Sequence, residues 1–93
     1  MKSYKINESY ALRVIVDSNV LIPVGKKIME NNVIIDLNET AAFLYSQLEN
    51  PMTESELVAL LLNEYETTEE QASADVEIFL EKLTSVDALT VTE

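Results

Sequence analysis

At Asn38 the hydrophobic pattern changes its period, and that change limits the fold more than any other feature of the chain. From Tyr10 to Val16 apolar residues alternate, with Tyr10, Leu12, Val14 and Val16 on one face and Ala11, Arg13 and Ile15 on the other. This is the period of a strand, in a run rich in β-branched residues. Asp17-Ser18-Asn19 supplies a turn, and Val20-Leu21-Ile22-Pro23-Val24 reads as a second short strand. Pro23 cannot donate to a ladder, so it belongs at a strand end, a bulge or an edge. The state of Lys26-Lys27-Ile28-Met29 is left open by its pattern. Asn31-Asn32 marks a turn into a third strand, Val33-Ile34-Ile35-Asp36-Leu37. Three short strands with brief connections predict an antiparallel meander.

After Leu37 the spacing becomes helical. Asn38 is placed to cap a helix from about Glu39 to Glu49 that carries Ala41, Leu44, Tyr45 and Leu48 on one side, with Phe43 off that face. Asn50-Pro51 ends it. Thr53-Glu54-Ser55-Glu56 has the spacing of a capping box, followed by Leu57, Val58, Leu61, Leu62 and Tyr65 as one apolar face. Thr67-Thr68-Glu69-Glu70-Gln71 repeats the device in either register. A third helix then carries Ala72, Val76, Phe79, Leu80 and Leu83 and frays near Ser85; Leu89-Thr90-Val91 is a candidate short terminal strand. The element order predicts one α+β domain over residues 1–93, with strands over about 10–37, helices over about 39–85, and a winged-helix-like arrangement.

Charge divides at the same place. Up to Leu37 the balance is +1; from Asn38 onward Lys82 stands alone against thirteen acidic residues, a balance of −12, and the whole chain carries −11. The third helix, which would read DNA in a winged-helix protein, bears Glu69, Glu70, Asp75, Glu77 and Glu81. Phosphate repulsion opposes docking there, so no nucleic-acid partner is expected. The carboxylates act either as a solvated face that keeps a small protein soluble or as a field that steers a basic peptide or partner.

Composition removes other classes. With no Cys and no His there is no disulfide framework, thiolate nucleophile, catalytic triad or zinc-cysteine site, and no cofactor is expected. A glycosidase-like enzyme using carboxylates alone has little besides acidic residues, a few lysines and tyrosines to work with. The N-terminus lacks the apolar core of a signal peptide, and no run approaches the ~18 apolar residues of a membrane span. A cytoplasmic protein with no membrane partner is the expectation.

Several blocks together resemble a known family. They are Pro23-Val24-Gly25; Leu37-Asn38-Glu39-Thr40-Ala41-Ala42-Phe43-Leu44-Tyr45; Thr53 with Glu56-Leu57-Val58; and Asp75-Val76-Glu77 with Phe79-Leu80 and Leu83. The segment from Val24-Gly25 through Leu83 resembles the PqqD-like proteins, the family of pyrroloquinoline quinone biosynthesis protein D. Ala41 stands where the family commonly has Gly and Tyr45 where it commonly has Trp, departures that bear on subfamily more than on fold. The resemblance implies a non-catalytic, peptide-binding module. Such modules capture the leader segment of a ribosomally made precursor peptide and present it to a modifying enzyme, a radical S-adenosylmethionine protein in the PqqD case. The leader adds as a strand between the third strand, here Val33, Ile34, Ile35, Asp36 and Leu37, and the third helix. On that helix the analogy points to Asp75, Val76, Phe79 and Lys82.

The residues allow this without requiring it. Val33 to Leu37 contains no proline and one charge, so at a sheet edge it is either covered or used, and strand addition is one use. As a central strand its aliphatics would simply be core. Val76, Phe79, Leu80 and Leu83 likewise fit an ordinary core stripe. The alternative function is a winged-helix module that docks on a protein or dimerises without any leader peptide, since an exposed edge and short turns also favour homodimers.

Overall fold

The structure, a computed structural model, describes residues 1–25 and 34–93. Its strands are β1 (Ser3–Ile6), β2 (Tyr10–Ile15), β3 (Ser18–Pro23), β4 (Ile35–Leu37), β5 (Met52–Thr53) and β6 (Leu89–Thr92), and its helices are α1 (Glu39–Gln47), α2 (Glu54–Glu64) and α3 (Glu69–Ser85). The expected meander is present as an antiparallel sheet in the order β2-β3-β4. Val33, Lys26-Lys27-Ile28-Met29 and the Asn31-Asn32 turn lie outside the described residues.

Residue chemistry sets the ends of this sheet. Pro23 closes β3 opposite Tyr10, and the ladder is resumed past it by the Val24 N–H, which donates to the Ser9 carbonyl at 2.9 Å. Gly25 follows at φ +61°, a conformation in which a Cβ is disfavoured. At the other end, Val16 and Asp17 join the paired residues Ile15 and Ser18. Val16 takes φ 56°, an outlier for a β-branched side chain. The expected Tyr10/Leu12/Val14/Val16 face is buried only at its start: Tyr10 is 4% exposed, whereas Val14 is 70% and Val16 89% exposed. The hairpin outruns the core, and its tip presents Val14, Ile15 and Val16 to solvent.

A second sheet, β5-β1-β6, ties the ends of the chain together. β6 answers the expectation for Leu89-Thr90-Val91. β1 is an addition to the sequence reading: it pairs antiparallel with β6 from Ser3 opposite Thr92 to Ile6 opposite Leu89. The Ile6 N–H also donates to the Leu48 carbonyl at 2.9 Å, anchoring this strand to the end of α1.

The helices begin where their caps demand. The Asn38 side chain accepts from the Ala41 N–H at 2.8 Å. Thr53 and Glu56 form the full capping box, with bonds of 3.2 and 2.8 Å, and Thr68 rather than Thr67 caps α3 by accepting from the Gln71 N–H. α3 ends in a Schellman motif: Asp87 at φ 59° lets its own N–H reach the Thr84 carbonyl and that of Ala88 reach the Leu83 carbonyl. Thr53→Ala removes one half of the capping box and is expected to lower stability by about 1 kcal/mol, a fall in Tm of roughly 4–8 °C that thermal unfolding measures.

The core lies where the three helices meet the inner faces of both sheets. Leu21, Leu44, Leu48, Leu57, Leu61, Val76 and Leu83 are the largest of its fully buried side chains. Phe43, off the α1 core face, packs edge-to-face against Tyr65 with ring centroids 5.6 Å apart, closing the end of the α1–α2 interface. Leu62, expected on the apolar face of α2, is 40% exposed.

Candidate functional site

Among the described residues β4 is the last strand of its sheet, and the direction of its outward groups follows from the register. Antiparallel neighbours alternate between pairs that exchange hydrogen bonds and pairs that do not. A two-residue turn makes Ile15 and Ser18 a bonded pair, so on β3 Ser18, Val20 and Ile22 face β2, while Asn19 and Leu21 face β4. Asn19 and Leu21 pair with Leu37 and Ile35, which leaves the N–H and C=O of Asp36 directed away from the sheet. Lys82 bears this out: its Nζ, on α3, donates to the Asp36 carbonyl at 3.2 Å. The side chains alternate as well. Ile35 and Leu37 are buried in the core and Asp36 is exposed. Ile34, just before the strand, is 61% exposed.

Between this edge and α3 runs a groove of about 410 Å³. Asp36, Leu37 and Asn38 form one wall; Thr40, Ala41 and Leu44 of α1 close an end; Asp75, Ile78, Phe79, Lys82 and Leu83 of α3 form the other wall. Of the residues singled out from the sequence, Asp36, Leu37, Asp75, Phe79 and Lys82 therefore meet in one place. Ile35 lies one residue from the free edge with its side chain in the core, and Ile34 continues the strand direction outward. Val76 is fully buried among core residues and is not part of the groove wall.

Ile78 lines the groove and is 65% exposed, and the sequence reading passed over it. Its signal was available. Positions 75, 78, 79 and 82 share one helical stripe, and an isoleucine on the polar shoulder of an acidic helix is an apolar residue that the core does not explain.

The groove lining is mixed: Leu37, Ala41, Leu44, Ile78, Phe79 and Leu83 are its apolar residues, and Asp36, Asp75 and Lys82 carry its charges. Asp75 accepts from Gln71 Nε2 at 2.8 Å. Beneath, burial pushes the Tyr45 phenol above its ordinary range, and its hydroxyl donates to the Tyr10 carbonyl at 3.5 Å. The Tyr10 hydroxyl in turn donates to the Val86 carbonyl at 3.2 Å, so the two tyrosines link the meander to α1 and to the end of α3. A wider depression of about 710 Å³ on the far side of α3 is lined by the carboxylates of Glu54, Glu77 and Glu81 beside Lys2 and Tyr4. Among the described residues no group of three or more acidic side chains is arranged to hold a metal ion, and no helix is long and apolar enough to cross a membrane. What the first groove offers is a main-chain edge beside a lining of apolar and charged side chains, an arrangement that can accept an extended peptide.

A family model described as Coenzyme PQQ synthesis protein D (PqqD) matches residues 19–89. The chain belongs to the PqqD family. The matched span runs from β3 to the start of β6, so the strand edge, α1 and α3 that frame the groove all fall within the PqqD match. Two solved structures share the PqqD-family fold seen here. One, TbiB1 in complex with the TbiA(beta) leader peptide, is 22% identical, with a TM-score of 0.72 over 91% of this chain and 93% of that one. The other, lasso peptide synthetase B1 complexed with the leader peptide, is 17% identical, with a TM-score of 0.73 over 94% of this chain and 96% of that one. At these identities the likeness is one of fold. Comparison with curated proteins gives no match.

Proposed function

We propose that this PqqD-family chain is a non-catalytic recognition module that captures the leader segment of a ribosomally made precursor peptide and presents it to a modifying enzyme. The observation that carries this reading is the outward N–H and C=O of Asp36 beside a groove that Leu37, Ile78 and Phe79 line. The leader adds to β4 as a further antiparallel or parallel strand, bonded through Ile34 and Asp36. Its alternate side chains enter the space between Leu37, Phe79 and Ile78, with Lys82 and Asp75 at the rim. Main-chain bonds supply affinity and the pockets supply selectivity. That two structures of the same fold are complexes with leader peptides supports the reading. The modifying enzyme implied by the family is a radical S-adenosylmethionine protein.

The test is a titration of the isotope-labelled protein with the N-terminal segment of a short precursor encoded beside its gene. Amide shifts are expected at residues 34–37 and along the groove side of α3. Binding that leaves those amides unmoved sinks the site. A second reading, a protein-docking or dimerising module without a leader, draws support from the exposed Val14, Ile15 and Val16 at the hairpin tip.

A further inference from the structure

Lys82 is the single cation after Leu37, and it stands on α3 in the wall of the groove. Among the described residues its ammonium has one recorded hydrogen bond, to the Asp36 carbonyl at 3.2 Å. That carbonyl is the acceptor an added strand needs for its own N–H, and although the oxygen has two lone pairs, a peptide that pairs with β4 in the plane of the sheet competes with Lys82 for it. The displaced ammonium then sits beside the new strand with its bond lost. Lysine on an edge is a known means of keeping strands from pairing indiscriminately, and an ammonium stripped of its acceptor gains most from a carboxylate.

We infer that Lys82 is a specificity-determining residue: it straps the open edge of β4 in the free protein and, once displaced, selects peptides that place a carboxylate beside it. The inference rests on the strand-addition reading above. It defines the substrate class more narrowly, as extended segments with an apolar residue for the Ile78–Phe79 part of the α3 wall and one Asp or Glu in fixed register to it. The repelling carboxylates nearby do not forbid this. Asp75 lies seven residues back on α3, about 10 Å along the helix axis, which is on the order of one screening length at physiological salt. Its oxygen is already bonded to Gln71. The −11 charge acts at longer range and favours segments whose other charges are basic.

A random display library of twelve-residue peptides tests this without knowledge of the natural leader. Selection is run on the wild-type chain, on Lys82→Glu and on Lys82→Gln, counting only peptides whose binding Asp36→Pro removes. Wild type is expected to enrich one acidic position at a fixed distance from an apolar one. Lys82→Gln should lose that preference, with the wild-type consensus peptide bound about five- to tenfold more weakly, and Lys82→Glu should replace it with Lys or Arg. The side chain is exposed, so both variants are expected to melt as the wild type does. Edge-dependent peptides with no acidic position, or an acidic preference that survives Lys82→Glu, overturn the role of Lys82 and leave the groove standing. Failure to select any edge-dependent peptide overturns both.

Discussion

Asp36→Pro is expected to weaken capture of an extended peptide by about 30- to 150-fold while leaving the fold in place. The reasoning is local. Asp36 is the non-bonded residue of its pair with Val20, so its N–H serves no other strand, and a proline ring there removes the edge donor and fills the space a partner main chain would occupy. The lost N–H bond, and the bond at the carbonyl of residue 36 that the ring keeps a partner chain from reaching, at ~1 kcal/mol each and with some steric opposition, give the stated range. The adjacent substitution makes the control. Ile35 pairs with Leu21 through its own N–H and C=O and is 5% exposed, so Ile35→Pro breaks the sheet and empties part of the core. Calorimetric titration with thermal melting of each variant separates the two outcomes. Asp36→Pro should melt near the wild type and bind about 30- to 150-fold more weakly; Ile35→Pro should melt well below it. Equal peptide affinity for Asp36→Pro and wild type would rule out strand addition at β4.

The distinction between positions 35 and 36 shows where the sequence stops being legible. The meander, three helices, their caps and the terminal strand all follow from short-range signals: alternation, helical spacing, Asn38, Thr53 with Glu56, and the Thr67-Thr68 pair. The groove residues Asp36, Leu37, Asp75, Phe79 and Lys82 were nameable through family resemblance. Which face of β4 points outward was not, because alternation fixes the side chains and says nothing of which neighbour takes the backbone bonds. That depends on the two-residue turn at Val16-Asp17, which makes Ile15 and Ser18 a bonded pair and so sets the parity for the entire sheet. β1 escaped notice for a different reason. Ser3 to Ile6 offers only Tyr4 and Ile6 as an alternating pair, and its partner β6 lies at the opposite end of the chain. The exposed half of the β2–β3 hairpin has the same pattern as its buried half, so periodicity could not tell where the core ends.

Leu57→Ala is expected to lower stability by about 2–5 kcal/mol, the largest effect of any side-chain truncation proposed for the fold. Leu57 opens the buried face of α2 and is completely shielded from solvent, so truncation leaves a cavity in a core that has little to spare. A domain of this size is stable by only about 5–14 kcal/mol in all. At roughly 4–8 °C per kcal/mol, even a 2 kcal/mol loss lowers Tm by about 8–16 °C. Leu62, five residues on and part of the same apolar run in the sequence, is 40% exposed. Leu62→Ala should therefore cost less than about 1 kcal/mol, since most of its surface gains nothing by folding. Paired denaturant melts of the two variants decide whether α2 presents the face described here, and equal losses would mean that it does not. Leu57 is also absent from the groove wall. Well below its melting temperature, Leu57→Ala should then bind a leader as the wild type does, whereas Asp36→Pro should bind more weakly at every temperature, which places the function in the edge of β4 rather than in the stability of the fold that holds it.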